Sequence, residues 1–211
     1  MTETGIKAAH YNPIMLSVVI QAGGQSTRMG ENKALKLFLG RPLIQRVSER
    51  VAPIADELLV TTNEPDDYAF LSLPLFPDVK PGRGPLGGLY TALTAASHPI
   101  VAVVACDMPF ASAPLLAAAA GILEQEQADV VIAETPEGFE PLHAVYRRGP
   151  CLAAVESAMK ADQWRMISWF SKVRVRKLTH EELSEFNPDG LAFWNLNTPE
   201  EFSEAERRAS S

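Results

Sequence analysis

The chain has 211 residues, 46% hydrophobic and 21% charged, with 19 Lys plus Arg against 26 Asp plus Glu for a net charge of −7. That length predicts one domain with a sizeable core, and the composition excludes disordered, collagen-like and membrane-spanning classes, since no apolar run approaches ~20 residues. The acidic balance argues against a broad nucleic-acid surface, and the two separated cysteines, Cys106 and Cys151, indicate neither a disulfide framework nor a zinc site and fit a reducing cytoplasm.

Residues 1–13 are polar and lack the apolar stretch of a secretory signal, so a flexible N-terminal extension is expected there, with residues 14–211 forming the domain. Leu16 to Ile20, Leu58 to Thr62, Ile100 to Ala105 and Val130 to Ala133 are continuous, β-branched runs of strand length, the pattern of parallel strands covered on both faces. Between them, Leu43, Ile44, Val47, Val51 and Ile54 mark one helix, Leu86, Leu89, Tyr90 and Leu93 a second, and Leu115, Leu116, Ala119, Ile122 and Leu123 a third. This βαβα rhythm predicts an α/β fold, a three-layer α/β/α sandwich. After Glu134 a turn-rich link, Thr135 to Glu140, leads to the apolar segment Pro141 to Tyr146. Val173 to Leu178 reads as a strand whose alternating Arg174 and Arg176 mark a solvated outer face. Thr198-Pro199-Glu200-Glu201 is a capping box with proline at the first helical position, starting a helix that runs to about Arg208.

Three segments carry chemistry. Gln21 to Gly30 directly follows the first strand and is followed by Lys33. Gly23, Gly24 and Gly30 let backbone N–H groups approach an anion, and Arg28 and Lys33 add charge, so the stretch reads as a phosphate cradle. It fits neither G-x-G-x-x-G, because Gly23 and Gly24 are adjacent, nor the P-loop, because Glu31 follows Gly30. In Cys106-Asp107-Met108-Pro109, Asp107 lies just past a buried strand, where ligands of open α/β sheets bind. Pro109 keeps Met108 extended, and a carboxylate so placed suits Mg²⁺, whose shell is completed by water and substrate phosphates. The glycine-rich loop Asp78 to Gly88 enters a helix whose first N–H groups are free to hold phosphate or a base edge. Lys80 and Arg83 place further positive charge on it. His143, in an apolar segment, reads as a hydrogen-bonded structural histidine, Trp164 and Trp169 as core, and Cys106 as a small buried residue. His10, His98 and His180 have no ligand spacing.

Taken in order, Gln21 to Lys33, Gly84 to Gly88, Cys106 to Pro109, Pro141 to Tyr146 and Asn195 to Pro199 resemble the molybdenum cofactor guanylyltransferase family, from Leu16 to about Phe202. The resemblance implies a Rossmann-like sandwich of the nucleotide-diphospho-sugar transferase type with a mostly parallel sheet. It implies transfer of GMP from Mg²⁺-bound GTP to the phosphate of molybdopterin, releasing pyrophosphate. On that resemblance the nucleotide site comprises Gln21, Ala22, Gly23, Gly24, Gly30, Lys33, Thr61, Asn63, Asp78, Gly84, Pro85, Leu86 and Asp107. Arg28, Lys33 and Asp107 take the catalytic roles, and Asp107 holds the metal. Thr61 stands where the family often has a base-contacting asparagine, with Asn63 two residues on; Gln21 replaces a leucine and Asn32 an aspartate. The paired glycines and the Gly84 to Gly88 loop favour guanine over cytosine. Arg165, Asn195 and Asn197 are pterin-side candidates, and a molybdoenzyme chaperone or cofactor-insertion protein is a conceivable partner. A cytidylyltransferase acting on molybdopterin or another phosphorylated small molecule, and a non-catalytic GTP-binding module, are the alternatives.

Overall fold

Six consecutive buried positions, Leu16–Gln21, form strand β1. Such a strand has to be covered on both faces, and β1 lies inside a seven-stranded sheet. A computed structural model describes residues 14–23 and 32–210, so the expected extension at residues 1–13 lies outside the described residues. The other strands are β2 (Glu57–Thr61), β3 (Leu75–Phe76), β4 (Ile100–Ala105), β5 (Val130–Ile132), β6 (His143–Arg147) and β7 (Val175–Lys177). Their order across the sheet is β7-β5-β6-β4-β1-β2-β3. Neighbours are parallel except around β6, which is antiparallel to both β4 and β5.

Besides a single helical turn at Pro65–Tyr68, the helices are α1 (Leu43–Val51), α2 (Gly84–Ala95), α3 (Ala113–Gln125), α4 (Arg148–Lys160), α5 (His180–Phe186) and α6 (Pro199–Ala209). Strand alternation divides the core in two. Val18, Ile20, Val60, Ala102 and Val104 pack with Ile44, Val47 and Val51 of α1 and Leu115, Leu116 and Ala119 of α3. Val19, Leu59, Val101 and Val103 pack with Leu86, Leu89 and Leu93 of α2 and Ala154, Val155 and Ala158 of α4. Each fully buried aliphatic side chain is worth about 1.5–3 kcal/mol, so the two faces together hold the three-layer sandwich. A third cluster, Phe38, Leu43, Leu196, Phe202 and Ala205, docks α6 and the segment before it beside the start of α1. Among the described residues no helix is long and apolar enough to cross a membrane.

Several elements differ from the expectation. The first helix is α-helical only to Val51 and continues as a 3-10 turn, Ala52–Ile54, where Pro53 supplies no N–H. The turn-rich link is a small hairpin, Glu134–Thr135 with Gly138–Phe139. Arg176 is not on a solvated face: α5 folds over β7, and the guanidinium pairs with Glu182 at 2.5 Å and Glu126 at 3.1 Å, its side chain only 20% exposed. Arg174 is exposed, as its alternation suggests.

Register brings the chemistry to one edge. Gln21 is paired with both Thr61 and Ala105, and Thr61 with Phe76. The carboxyl ends of β1, β2, β3 and β4 are therefore level, and residues 22–23, 62–63, 77–78 and 106–107 emerge side by side. The chain leaves β1 toward β2 on one side and returns at β4 on the other, so the edge between β1 and β4 is a topological switch point, the place where open α/β sheets bind ligands.

Candidate active site

One end of this edge is assembled from β1, β2 and the loop into α2. Asn63 donates from Nδ2 to Oδ2 of Asp78 at 2.9 Å and accepts the Asp78 backbone N–H at 3.0 Å, fixing the aspartate. A Cβ placed on Gly23 would lie 3.4 Å from Asp78 Oδ2, so the glycine backbone runs directly past this carboxylate. The other carboxylate oxygen, Oδ1, is buried without a partner among the described residues. Thr91, which sequence reasoning missed, accepts the Val79 N–H at 3.0 Å and donates to the Gly87 carbonyl at 3.0 Å, tying the loop to α2. A threonine on the buried face of a helix was the available signal.

The glycines of the loop serve this folding. Gly84 has φ +62°, open to glycine at little cost. At Gly88 a Cβ would come within 2.7 Å of Gln21 Oε1, so the buried Gln21 side chain occupies the space beneath α2. The helix starts with Pro85 in its first turn and no side-chain cap, which leaves its first N–H groups unspent. Among the described residues, the buried Thr61 hydroxyl has no partner, nor has the Gln21 amide nitrogen. Of the two candidates for the family asparagine, Asn63 is thus the one exposed beside Asp78, and Thr61 is enclosed in the sheet.

At the other end stand Lys33, Asp107 and the segment before α6. Lys33 opens a 3-10 turn, Lys33–Leu35, capped by Asn32, whose Oδ1 accepts the Ala34 N–H at 3.2 Å. Asn32 also donates to the hydroxyl of the buried Tyr68 at 2.9 Å. The replacement of aspartate by asparagine therefore retains a cap and adds a donor. Asp107 makes no salt bridge among the described residues. Burial pushes its carboxyl above the usual aspartate range, the Lys33 ammonium opposes that shift, and Glu201 adds to it. Below it, His143 accepts the Ser112 N–H on Nε2 at 3.0 Å, while its Nδ1 has no partner among the described residues. Burial holds this imidazole down to about 4, so it is neutral and structural, as read from sequence. Ser112 in turn caps α3. Burial raises the Cys106 thiol far above its ordinary range, which removes it as a nucleophile at neutral pH.

The structure brings Asn197 to Lys33: Lys33 Nζ donates to Asn197 Oδ1 at 2.8 Å. Asn195 is half-buried and its amide reaches the Phe193 carbonyl at 3.4 Å. Glu201, missed as anything but a helix cap, receives the N–H groups of Asn197 at 2.5 Å and Thr198 at 2.8 Å. The capping motif itself was its signal. Arg165 is exposed in the segment after α4, and no hydrogen bond or salt bridge among the described residues links it to Asn195, Asn197 or Lys33. Trp169 is fully buried core, whereas Trp164 is half-buried under the Arg83 guanidinium, 4.5 Å from its ring centroid. Lys80 lies over Tyr90 at 5.7 Å. The loop cations thus lie over aromatic rings, Lys80 over Tyr90 and Arg83 over Trp164. Gly24, Arg28 and Gly30 lie outside the described residues.

The donor set fits a hard, phosphate-borne cation. No group of three or more His, Cys, Asp or Glu side chains able to hold a metal occurs among the described residues. Asp107 offers a hard oxygen donor of the kind a divalent cation takes while water and other oxygens complete its shell.

A mostly parallel three-layer sandwich with a glycine turn and a carboxylate flanking its switch point is the nucleotidyltransferase architecture of the nucleotide-diphospho-sugar transferase type. A family model described as the MobA-like NTP transferase domain matches residues 18–175, and the chain belongs to that family. It is 36% identical over 189 residues to a Desulfosudis oleivorans protein named molybdenum cofactor guanylyltransferase, across 89% of this chain and 93% of the relative. A solved structure of molybdopterin-guanine dinucleotide biosynthesis protein A from Archaeoglobus fulgidus superposes with a TM-score of 0.79 at 25% identity, covering 92% of this chain and 98% of that one. The 4-diphosphocytidyl-2C-methyl-D-erythritol synthase of Anaerococcus prevotii superposes at 0.64 with 12% identity, covering 94% of this chain and 99% of that one. That second likeness concerns the fold alone.

Proposed function

We propose that residues 14–211 act as one nucleotidyltransferase domain that transfers GMP from GTP to the phosphate of molybdopterin, forming the guanine dinucleotide and releasing pyrophosphate. The observation that carries this reading is the placement of two unlike sites along one sheet edge. Asp78, held by Asn63 beside Gly23, stands at one end, and Lys33 with Asp107 stands at the other. Guanine presents its N1–H and exocyclic N2–H₂ side by side, and an acceptor carboxylate with one unpartnered oxygen suits that edge. Cytosine offers one exocyclic amine. Ala22, Pro85 and Leu86 supply backbone around the nucleotide, together with Gly24 and Gly30.

The acceptor phosphate is already ionised, so no general base is required. Its oxygen attacks the α-phosphorus in line; the new P–O bond forms as the bond to the bridging oxygen breaks, and the electron pair leaves with pyrophosphate. Lys33 stabilises that growing negative charge electrostatically, and Arg28, assigned from the sequence motif, would add to it. Asp107 would hold Mg²⁺, which supplies charge neutralisation and a template for the phosphates. Asn195 contributes to the acceptor side of the cleft.

The test is pyrophosphate release by purified protein with molybdopterin, Mg²⁺ and GTP, CTP or ATP in turn. Release with GTP well above the others supports the reading. A preference for CTP would make the protein a cytidylyltransferase, and GTP binding without release would make it a carrier.

A further inference from the structure

Asn197 belongs to an exposed segment, yet that segment is held from several sides. Its Oδ1 accepts from Lys33 Nζ at 2.8 Å, and its Nδ2 donates to the Asn195 carbonyl at 3.3 Å. Glu201 takes its backbone N–H and that of Thr198, closing the capping box of α6. One residue earlier, the Leu196 N–H donates to the Asp107 carbonyl at 3.0 Å. The Leu196 side chain is anchored with Phe202 and Phe38 in the third cluster. The strip 196–198 thus touches both Lys33 and Asp107 and is fixed behind by a helix.

A lysine side chain is a flexible four-carbon stem, and a single 3-10 turn does nothing to direct its end. With Asp107 close enough to feel its charge, an untethered Lys33 ammonium has an obvious resting place on that carboxylate. Collapse there would occupy two groups that the phosphates need. We propose that Asn197 is a positioning residue for the transfer step: its amide oxygen tethers the Lys33 ammonium apart from Asp107 and leaves both groups free for ligand. A neutral acceptor suits this role, because a carboxylate at position 197 would cancel the lysine charge. This departs from a direct pterin contact by Asn197, and it rests on the reading of Lys33 and Asp107 as phosphate-handling groups.

A misplaced cation costs most where charge develops, so kcat falls while GTP binding suffers less. A double-mutant cycle in the pyrophosphate-release reaction tests this, with Asn197→Leu, Lys33→Met and the pair, and with Asn197→Ala replacing Asn197→Leu if the latter fails to fold. The expected result is a kcat lowered about tenfold in Asn197→Leu, with the KM of GTP changed less than about threefold. Lys33→Met is slower still, and the double variant is no slower than Lys33→Met alone, because Asn197 acts only through that lysine. Losses that multiply in the double variant overturn the proposal. So does a raised KM for molybdopterin with kcat intact, which would make Asn197 an acceptor contact. Wild-type kinetics in Lys33→Met alone would remove the parent reading together with this one, and that single variant reveals it before the cycle is closed.

Discussion

At the end of the sheet edge that holds Asp78, the hydrogen bonds are local in sequence. Asn63 and Asp78 are 15 positions apart, and Val79 and Thr91 are 12 apart. At the end that holds Asp107, Lys33 and Asn197 are 164 positions apart. The Asp78 end is a wall built round one carboxylate held by Asn63, with buried polar atoms left unpartnered among the described residues, whereas the other gathers a lysine and two carboxylates from separate parts of the chain. The first arrangement suits discrimination, since an unmatched buried donor or acceptor costs about 1–3 kcal/mol. The second suits transient charge, at the cost of depending on distant packing. Recognition and transfer are thus separable, and variants can be chosen to strike one without the other.

The largest effect is expected at Asp107. Asp107→Ala should lower transfer in Mg²⁺ by roughly 100-fold or more, with guanosine affinity measured by calorimetry unchanged; equal loss of guanosine binding would break the division between the ends. Next is acid sensitivity beneath that end. His143 is buried and held down to about 4, so below its unfolded value of about 6.5 the unfolded chain takes up a proton that the native chain refuses. Stability is full above that value and falls as pH drops toward 4, by up to about 3 kcal/mol. Urea unfolding across that range should show the slope, and His143→Gln should flatten it.

A smaller and opposite effect is expected at the other end. Asp78→Leu should raise the KM of GTP about ten- to a hundredfold and narrow its advantage over CTP, with kcat at saturating GTP little altered. A kcat loss matching that of Asp107→Ala would show that the two ends are one unit. The smallest is Thr198→Ala, which removes a side-chain cap from α6 and should cost about 1 kcal/mol of stability. Transfer should fall modestly while guanosine affinity stays constant, a comparison that calorimetry and pyrophosphate release make directly.

The contrast also explains what could be read in advance. β1, β2 and β4 are legible because central strands are continuous apolar runs, and Asp107 because it follows such a run. The same logic hides direction: β6 is buried like its neighbours, so nothing in His143–Arg147 distinguishes an antiparallel strand from a parallel one. Helix α4 is obscured by Gly149-Pro150 at its start, two residues that otherwise read as a turn. Arg174 and Arg176 look alike in a segment of alternating charge, and only the carboxylates Glu182 of α5 and Glu126 after α3 make one of them interior. Asn63 and Asp78 are candidates from the sequence, but only the sheet, which encloses the Thr61 side chain and leaves Asn63 exposed, separates Thr61 from Asn63. The link between Lys33 and Asn197 has no local signature, since it depends on where α6 docks.

That docking also sets an order of events during synthesis. When the ribosome has released β1, β2 and the loop into α2, the wall around Asp78 has all its residues outside the exit tunnel. Lys33 emerges as early, but its amide partner is made 164 positions later, after the sheet has been threaded. A nascent chain can therefore hold every residue around Asp78 long before Lys33 meets Asn197, and that hydrogen bond closes only when α6 seats.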